Sequence, residues 1–321
     1  MMNASRIFTV AALCLVSAAH AETYPAKSIR FIVPFPPGGP TDVLARVLGQ
    51  KLSEQMGQPV VLDNRPGAGG NLGLELAAKS APDGYTLLLG AVGTLTISPY
   101  LYAKLNYDPV RDFQPISLVA SMPNVLLVHP SVPAKTLKEL VQLAKASPGK
   151  LNFGSGGAGT SNHLGGELLK SMTKIDIVHV PYKGASQAML GLIGGQIDIV
   201  VIGTPTAIPQ IQAGKVRALA VLSSSRLPAI ANVPTAGEAG FPGYEVTTWY
   251  GVLVPAGTSK DIVARLNTEL AKVMTVPASR DRIVGAGFDP MTSTPQQFAE
   301  FIKAESVRWG KVIKDAGIRA E

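Results

Sequence analysis

Apolar runs, glycine-rich turns and amphipathic stretches follow one another along this chain in a repeating order. Residues 28–34 (SIRFIVP) form an apolar run that predicts a buried strand, ending in Phe35-Pro36-Pro37-Gly38-Gly39-Pro40. Val43, Leu44, Val47, Leu48 and Leu52 then fall on one face of a predicted helix. The plan repeats with a strand at 60–63, a glycine turn at 64–70 and a helix through Leu76. Pro82-Asp83-Gly84 signals a turn ahead of a strand at 85–89. Strands alternating with helices at this spacing predict parallel sheets covered on both faces by helices.

The plan restarts after residue 124. A strand is predicted at 124–128, and Thr136-Leu137-Lys138-Glu139 has the form of a capping box opening a helix to about Ala146. Residues 151–153 lead into Gly154-Ser155-Gly156-Gly157-Ala158-Gly159 and a further helix. Strands at 175–180, 197–202 and 216–222 and a helix at 186–193 complete this second unit. A strand at 249–254 precedes a helix capped by Thr258, with Ile262, Val263, Leu266, Leu270 and Val273 as its stripe. Thr294-Pro295-Gln296-Gln297 is a second capping box, starting a helix that buries Phe298, Phe301, Ile302, Trp309, Val312 and Ile313. Pattern alone leaves open which unit this helical tail packs on.

The N-terminus points to export. A basic start to Arg6, an apolar stretch at 7–19 and Ala19-His20-Ala21 have the layout of a secretory signal peptide, with cleavage expected after Ala21. The apolar stretch is shorter than the roughly 20 residues a spanning helix needs. The single cysteine, Cys14, lies inside this segment and follows Leu13, which does not suit lipid attachment. The remaining 22–321 therefore has no thiol for disulfides, for thiolate chemistry or for zinc. Its length suits two compact units. It carries 28 basic against 22 acidic residues, a net +6, with no basic run of three and few aromatics. That pattern argues against nucleic-acid binding and fits a mild field that draws in small anions, or one that serves solubility alone.

Three turns carry candidate chemistry: residues 35–42, 64–71 and 154–163. Each is expected where a strand ends and a helix begins, the edge at which open α/β sheets bind ligands. Glycines let the backbone approach a guest, and a helix start offers unpaired N–H groups that favour an anion. The alternative for any one of them is a plain tight turn. Gly154 to Gly159 also matches G-x-G-x-x-G, with Asp176 downstream, so a dinucleotide-dependent dehydrogenase is a competing reading. Against it, the ribose-binding acid should close a strand, whereas Asp176 begins one. A secreted hydrolase is the other enzyme reading, but Phe153 replaces the first glycine of G-x-S-x-G around Ser155.

Single residues are weighed in the same way. His129, His163 and His179 make no H-x-x-x-H pair, and no metal site is expected. His163 is placed to donate to a bound carboxylate or to serve as a helix-start cap. Tyr182 walls a pocket or packs, His179 reads as structural, and Lys183 as a solvated charge. Asp42 reads as a first-turn carboxylate favoured by the helix dipole. Trp249 reads as core more than as cleft.

Taken together, the chain resembles the Bug family, the receptor components of tripartite tricarboxylate transporters. The resemblance rests on IVPFPPGGPTD (32–42), LDNRPGAGGNLG (62–73), APDGYTLLLG (81–90) and SGGAGTSNHLGGEL (155–168). HVPYKG (179–184), AGKVRALAV (213–221), VPTAGEAGFPGYE (233–245) and WYGVLVPAGT (249–258) extend it over the whole chain beyond the leader. It implies a type II periplasmic-binding fold: two Rossmann-like lobes joined by crossover strands, with the C-terminal helices rejoining the first. The lobes would be 22–123 plus 248–321, and 124–247. It also implies a carboxylate ligand, a membrane permease as partner, a periplasmic location, no cofactor and no catalysis. A monomer is expected. The implied ligand contacts are Phe35, Pro36, Gly38, Gly39 and Thr41 in one lobe and Ser155, Gly157 and Thr160 in the other. Thr94, Tyr182 and Thr204 complete the implied set, and His163 is a candidate contact on its own reading. The stretch IVVIGTP (199–205) departs from the family's more polar pattern, and no acid is placed to meet an amino-acid ammonium. Plain mono- or dicarboxylates, aliphatic or aromatic, follow.

Overall fold

The computed structural model describes residues 24–318; the leader at 1–21, with Cys14 and the expected cleavage point, lies outside the described residues. The first unit runs β1 (Ile29–Val33), α1 (Pro40–Met56), β2 (Val60–Asn64), α2 (Asn71–Ala78), β3 (Thr86–Ala91) and α3 (Ser98–Leu101). β4 (Phe113–Val128) crosses to the second unit of α4 (Leu137–Ala146), β5 (Asn152–Ser155), α5 (Ser161–Thr173), β6 (Val178–Pro181) and α6 (Ala185–Ile193). β7 (Ile199–Gly203), α7 (Thr204–Gln212) and β8 (Arg217–Val221) complete it. β9 (Thr247–Pro255) then returns to the first unit. The tail is α8 (Lys260–Thr275), α9 (Pro277–Gly285), β10 (Asp289–Pro290) and α10 (Pro295–Ala316).

Strand order is β2-β1-β3-β9-β4 in the first lobe, with β10 on β4, and β6-β5-β7-β4-β8 in the second. β1, β2 and β3 are mutually parallel, as are β5, β6 and β7, while the crossover strands run antiparallel to them. Each lobe is therefore a doubly wound α/β unit completed by a strand from the connection.

The continuous apolar runs have a direct physical cause. Both faces of each sheet are covered, so successive side chains feed different cores. Phe31 and Val33 join Leu87, Leu89 and the α1 stripe on one face. Ile32 and Leu88 join Leu253, Phe298, Ile302 and Trp309 on the other. The same split divides Val125, Leu127, Val200 and Ile202 from Leu126, Val128, Ile199 and Val201 in the second lobe. α8 packs with α1 on the first face and α10 packs on the second, so the tail rejoins the first lobe on both sides.

Some local details differ from the pattern. Ser259, not Thr258, caps α8, accepting from the Ile262 N–H, while Thr258 turns its hydroxyl to the Pro255 carbonyl. Thr136 caps α4, but Glu139 accepts from Lys135 N rather than closing a reciprocal box. Thr294 and Gln297 do form the full box at α10. The strand predicted at 124–128 is the last third of β4.

Candidate functional site

A cavity with about 750 Å³ of empty space, partly open to solvent, lies between the lobes. Phe35, Pro36, Pro37, Gly39, Pro40 and Thr41 supply one wall, from the turn after β1. Gly156, Thr160, Ser161 and Asn162 face it from the turn after β5, and Gly184, Ala185, Ser186 and Gln187 from the start of α6. Ala91, Val92 and Gly93 at the end of β3 and Gly203 at the end of β7 add to it, with Met122, Thr248 and Tyr250 from the crossover strands. The strand-end placement follows from topology, because every parallel strand delivers its following helix start to the same edge.

The wall suits an anion through its backbone. Helices α1, α6 and α7 begin at Gly39, Gly184 and Gly203, none of which offers a side chain to the first-turn N–H groups. α5 begins at Thr160, whose hydroxyl accepts from His163 N at 3.4 Å and donates to the Gly157 carbonyl at 2.7 Å. Helix starts carry the positive end of the dipole and unsatisfied donors. Among the described residues, no Asp, Glu, Lys, Arg or His side chain lines the space. The polar groups offered to a guest are therefore amides and hydroxyls.

The first turn is braced from behind. Asp42 accepts from Gly38 N at 2.9 Å, from Arg46 at 2.8 and 3.1 Å, and from Asn64 Nδ2 at 3.0 Å. Asn64 Nδ2 also donates to the Phe35 carbonyl at 3.0 Å. Burial pushes the Asp42 carboxyl upward, but the bonds from Arg46, Gly38 and Asn64 hold it below the usual carboxylate range. The acid read as a helix-start charge is thus turned back onto the loop and onto Arg46.

The lobes meet around the cavity through small residues. Tyr102 donates to the Ala158 carbonyl at 3.0 Å, Ser186 to the Gly38 carbonyl at 3.0 Å, and Thr204 to the Gly287 carbonyl at 2.7 Å. Gly69, in the left-handed region at φ +64°, abuts the backbone of Ala158, a place where any side chain would collide.

The sequence-named positions divide into two groups. Phe35, Pro36, Gly39, Thr41 and Thr160 line the cavity. Gly38, Thr94, Ser155, Gly157, His163, Tyr182 and Thr204 do not, and each has a specific alternative occupation. Gly38 is held by Asp42 and Ser186. The Thr94 hydroxyl returns to the Ala91 carbonyl at 3.1 Å. Ser155 is fully buried, its Oγ 2.7 Å from His179 Nε2 and accepting from Gly157 N at 3.1 Å. The Gly157 backbone backs onto Gly69. The Tyr182 ring packs over Gly191 and Gly154, and Thr204 binds Gly287.

His163 takes the second of its two readings, as a histidine at the helix start. It stacks on His179 with ring centroids 4.1 Å apart, and its Nδ1 accepts from Gly159 N at 3.3 Å instead of facing a ligand. Burial, with His179 and Lys170 nearby, lowers its pKa to about 3. It is a neutral acceptor that shapes the glycine turn. Asp176, the candidate ribose acid, precedes β6 beside Gly149, at the opposite end of the sheet from the glycine turn. Trp249 is core: it donates to Glu305 and packs edge-on against Phe298 and Phe301.

Ser161 and Asn162 were anticipated only as part of the turn 154–163, and Met122, Ala185, Ser186, Gln187, Thr248 and Tyr250 were not anticipated. For the start of α6 a signal existed, since Gly184 ends a strand, but one glycine is weaker than a glycine cluster. Met122 and Tyr250 sit in crossover strands whose pattern reads as core.

Residues 44–318 match the family described as "Tripartite tricarboxylate transporter family receptor". The chain is 37% identical over 324 residues to Protein BugT of Bordetella pertussis, covering 99% of each. Among solved structures it is similar to Rpa4515 of R. palustris with adipate, with TM-score 0.90 and 37% identity, covering 92% of this chain and 99% of that one. It is also similar to MatC from Rhodopseudomonas palustris with bound malate, with TM-score 0.87 and 34% identity, covering 90% and 100%.

Proposed function

The chain belongs to the tripartite tricarboxylate transporter receptor family, and we propose that it captures a small mono- or dicarboxylate, aliphatic or aromatic, between its lobes and releases it unchanged to a membrane permease. The observation that carries this reading is the convergence of uncapped helix starts on a cavity without charged side chains. Adipate and malate, named with two neighbours, are guests of the right charge and size class.

Capture proceeds without chemistry. One lobe offers the turn at 35–41, the other the starts of α5 and α6, and a carboxylate bridges them. The lobes, 22–123 with 248–321 and 124–247, close as two bodies hinged at the crossover strands. Closure excludes water and strengthens each amide bond. A few charge-assisted bonds at roughly 1.5–3 kcal/mol each are enough for micromolar affinity, about −8 kcal/mol. The absence of an acid on the wall disfavours amino acids, whose ammonium would be buried unpaired. The protein acts as a periplasmic monomer after cleavage behind Ala21.

A thermal-shift screen against a panel of carboxylates tests this. A true ligand at 100 times its dissociation constant adds about 2.7 kcal/mol, a shift of several degrees. Mass spectrometry should return the ligand unaltered. A shift with NADH and none with any acid would overturn the receptor reading.

A further inference from the structure

We propose that His163 is the positioning residue of the second lobe's glycine turn: the acceptor at its Nδ1, rather than the bulk of its ring, sets how firmly Gly156, Thr160 and Ser161 are presented to a bound carboxylate. The inference rests on the carboxylate-receptor reading of the same cavity and adds a side chain that does not border it.

The local sequence carries His163 to this place. α5 opens after Thr160 and has Gly165 and Gly166 within its first two turns. A Cβ on Gly165 would lie 2.6 Å from Val201, and one on Gly166 would lie 2.1 Å from the Phe153 ring. The helix therefore sits on β7 and β5 at a depth that only these glycines allow. His163, three residues before Gly166, shares its sheet-facing side. Its ring stacks on His179 at 4.1 Å, and His179 stacks on Phe153 at 4.9 Å. Rings from α5, β6 and β5 thus form one stack behind the turn.

The stack ends in hydrogen bonds to the turn itself. His163 Nδ1 accepts from Gly159 N at 3.3 Å. His179 Nε2 lies 2.7 Å from Ser155 Oγ, which accepts from Gly157 N at 3.1 Å. Gly157 and Gly159 are both at positive φ, +119° and +80°, and glycine backbone of this kind is loose unless something holds it. Fixing the two amides from behind leaves Gly156 and Thr160 on the cavity side. Burial keeps the His163 imidazole neutral, so Nδ1 offers a lone pair while Nε2 carries the hydrogen. Removing that lone pair orphans a buried amide, which costs more than a lost contact. Donors in a binding site must also be held to within about 0.5 Å by the groups behind them. The first lobe's turn is braced by a carboxylate and an amide, Asp42 and Asn64, and the second by two imidazoles.

Two substitutions separate acceptor from ring. His163→Phe keeps an aromatic ring for the stack and has no acceptor. His163→Asn gives up the ring and sets an amide oxygen where Nδ1 stood. Adipate and benzoate are the first probes in isothermal titration, and the tightest-binding acid of the panel is carried into the variants. His163→Phe should bind it about tenfold or more weakly, and His163→Asn within about threefold of wild type. Packing alone gives the reverse order, and that order overturns the inference, as do two variants impaired alike or not impaired at all. Amide hydrogen exchange read by NMR needs no ligand. Gly159 N–H should be protected in wild type and in His163→Asn, and at least about tenfold less so in His163→Phe. An unprotected Gly159 amide in the wild type overturns the inference even if a variant fails to fold. If no acid of the panel binds the wild type, the receptor reading falls and takes this inference with it. If acids bind and the variants rank otherwise, this inference alone falls.

Discussion

A Cβ placed on Gly93, at the end of β3, would lie 2.7 Å from the Gly159 carbonyl oxygen on the opposite lobe. The two residues belong to different sheets, so under the proposed closure this is a contact that closing would form. Gly93→Ala should therefore act on closure rather than on folding. Overpacking of this kind costs about 1–3 kcal/mol, which would appear as a roughly five- to 150-fold loss of ligand affinity. The melting midpoint of the unliganded protein should stay within a degree or so. Titration with the best acid from the screen, beside a thermal melt without it, decides the matter; an unchanged affinity would mean that closure does not bring these residues together.

The buried pair His163 and His179 predicts a specific acid sensitivity. Burial lowers their pKa values to about 3 and about 4, with Lys170 adding to both shifts. Below about pH 6.5 the unfolded chain takes up protons that the folded chain refuses. This contribution to stability is thus full above pH 6.5 and is lost as pH falls towards the folded values. At pH 5 the loss is about 2 kcal/mol for each histidine. His179→Gln, which can keep a bond to Ser155, should shrink the gap between wild type and variant by about that amount between pH 7 and pH 5. Denaturant melts at the two pH values measure it, and a constant gap would refute the coupling.

How far the residues themselves disclose the fold depends on whether pattern and environment coincide. Phe31, Ile32 and Val33 were readable because both faces of β1 are covered, and the Thr294 box because capping is local. The first eleven residues of β4 were not, since Gln114, Pro115, Ser117 and Pro123 break the apolar run and pairing with β9 and β10 sustains the strand. The turn after β1 was readable as a site because clustered glycine and proline force it to the sheet edge. Tyr250 was not, because it packs on Phe288 and borders the cavity at once, and periodicity cannot separate those two kinds of burial. His163 stayed divided between two readings for a related reason: its neighbour across the turn, His179, is sixteen residues away in the chain, and burial together with that neighbour fixes its stacking and its neutral state.

Glu305 ties the tail to the crossover strand. Its Oε2 accepts from Trp249 Nε1 at 3.0 Å and Trp309 Nε1 at 3.2 Å, and its Oε1 meets Arg308 at 3.1 Å. Glu305→Ala leaves two buried indole donors unpaired, so a loss of about 2–4 kcal/mol is expected in denaturant unfolding. Glu305→Gln retains an acceptor and should cost less. Ligand affinity should be nearly unchanged in both, because none of these side chains borders the cavity. An affinity loss without a stability loss would show that the contact serves binding instead.

The brace behind the first turn yields a coupled prediction. Asn64 joins the Phe35 carbonyl to the Asp42 carboxylate, and Asp42 in turn holds Gly38 N and Arg46. Removing either side chain should loosen the same loop, so Asn64→Ala and Asp42→Ala should each weaken acid binding by about tenfold and cost about 1–3 kcal/mol of stability. Because both act through one network, the double variant should fall short of the sum by about 0.5–3 kcal/mol. The Asp42 share also has a pH signature. Its folded pKa lies below the usual value, so this stabilisation is present above the unfolded value, about 3.9, and fades as pH falls through the folded one. Effects that simply add, in both titration and unfolding, would mean that Asn64 and Asp42 support the loop separately and that the bond between them carries no weight.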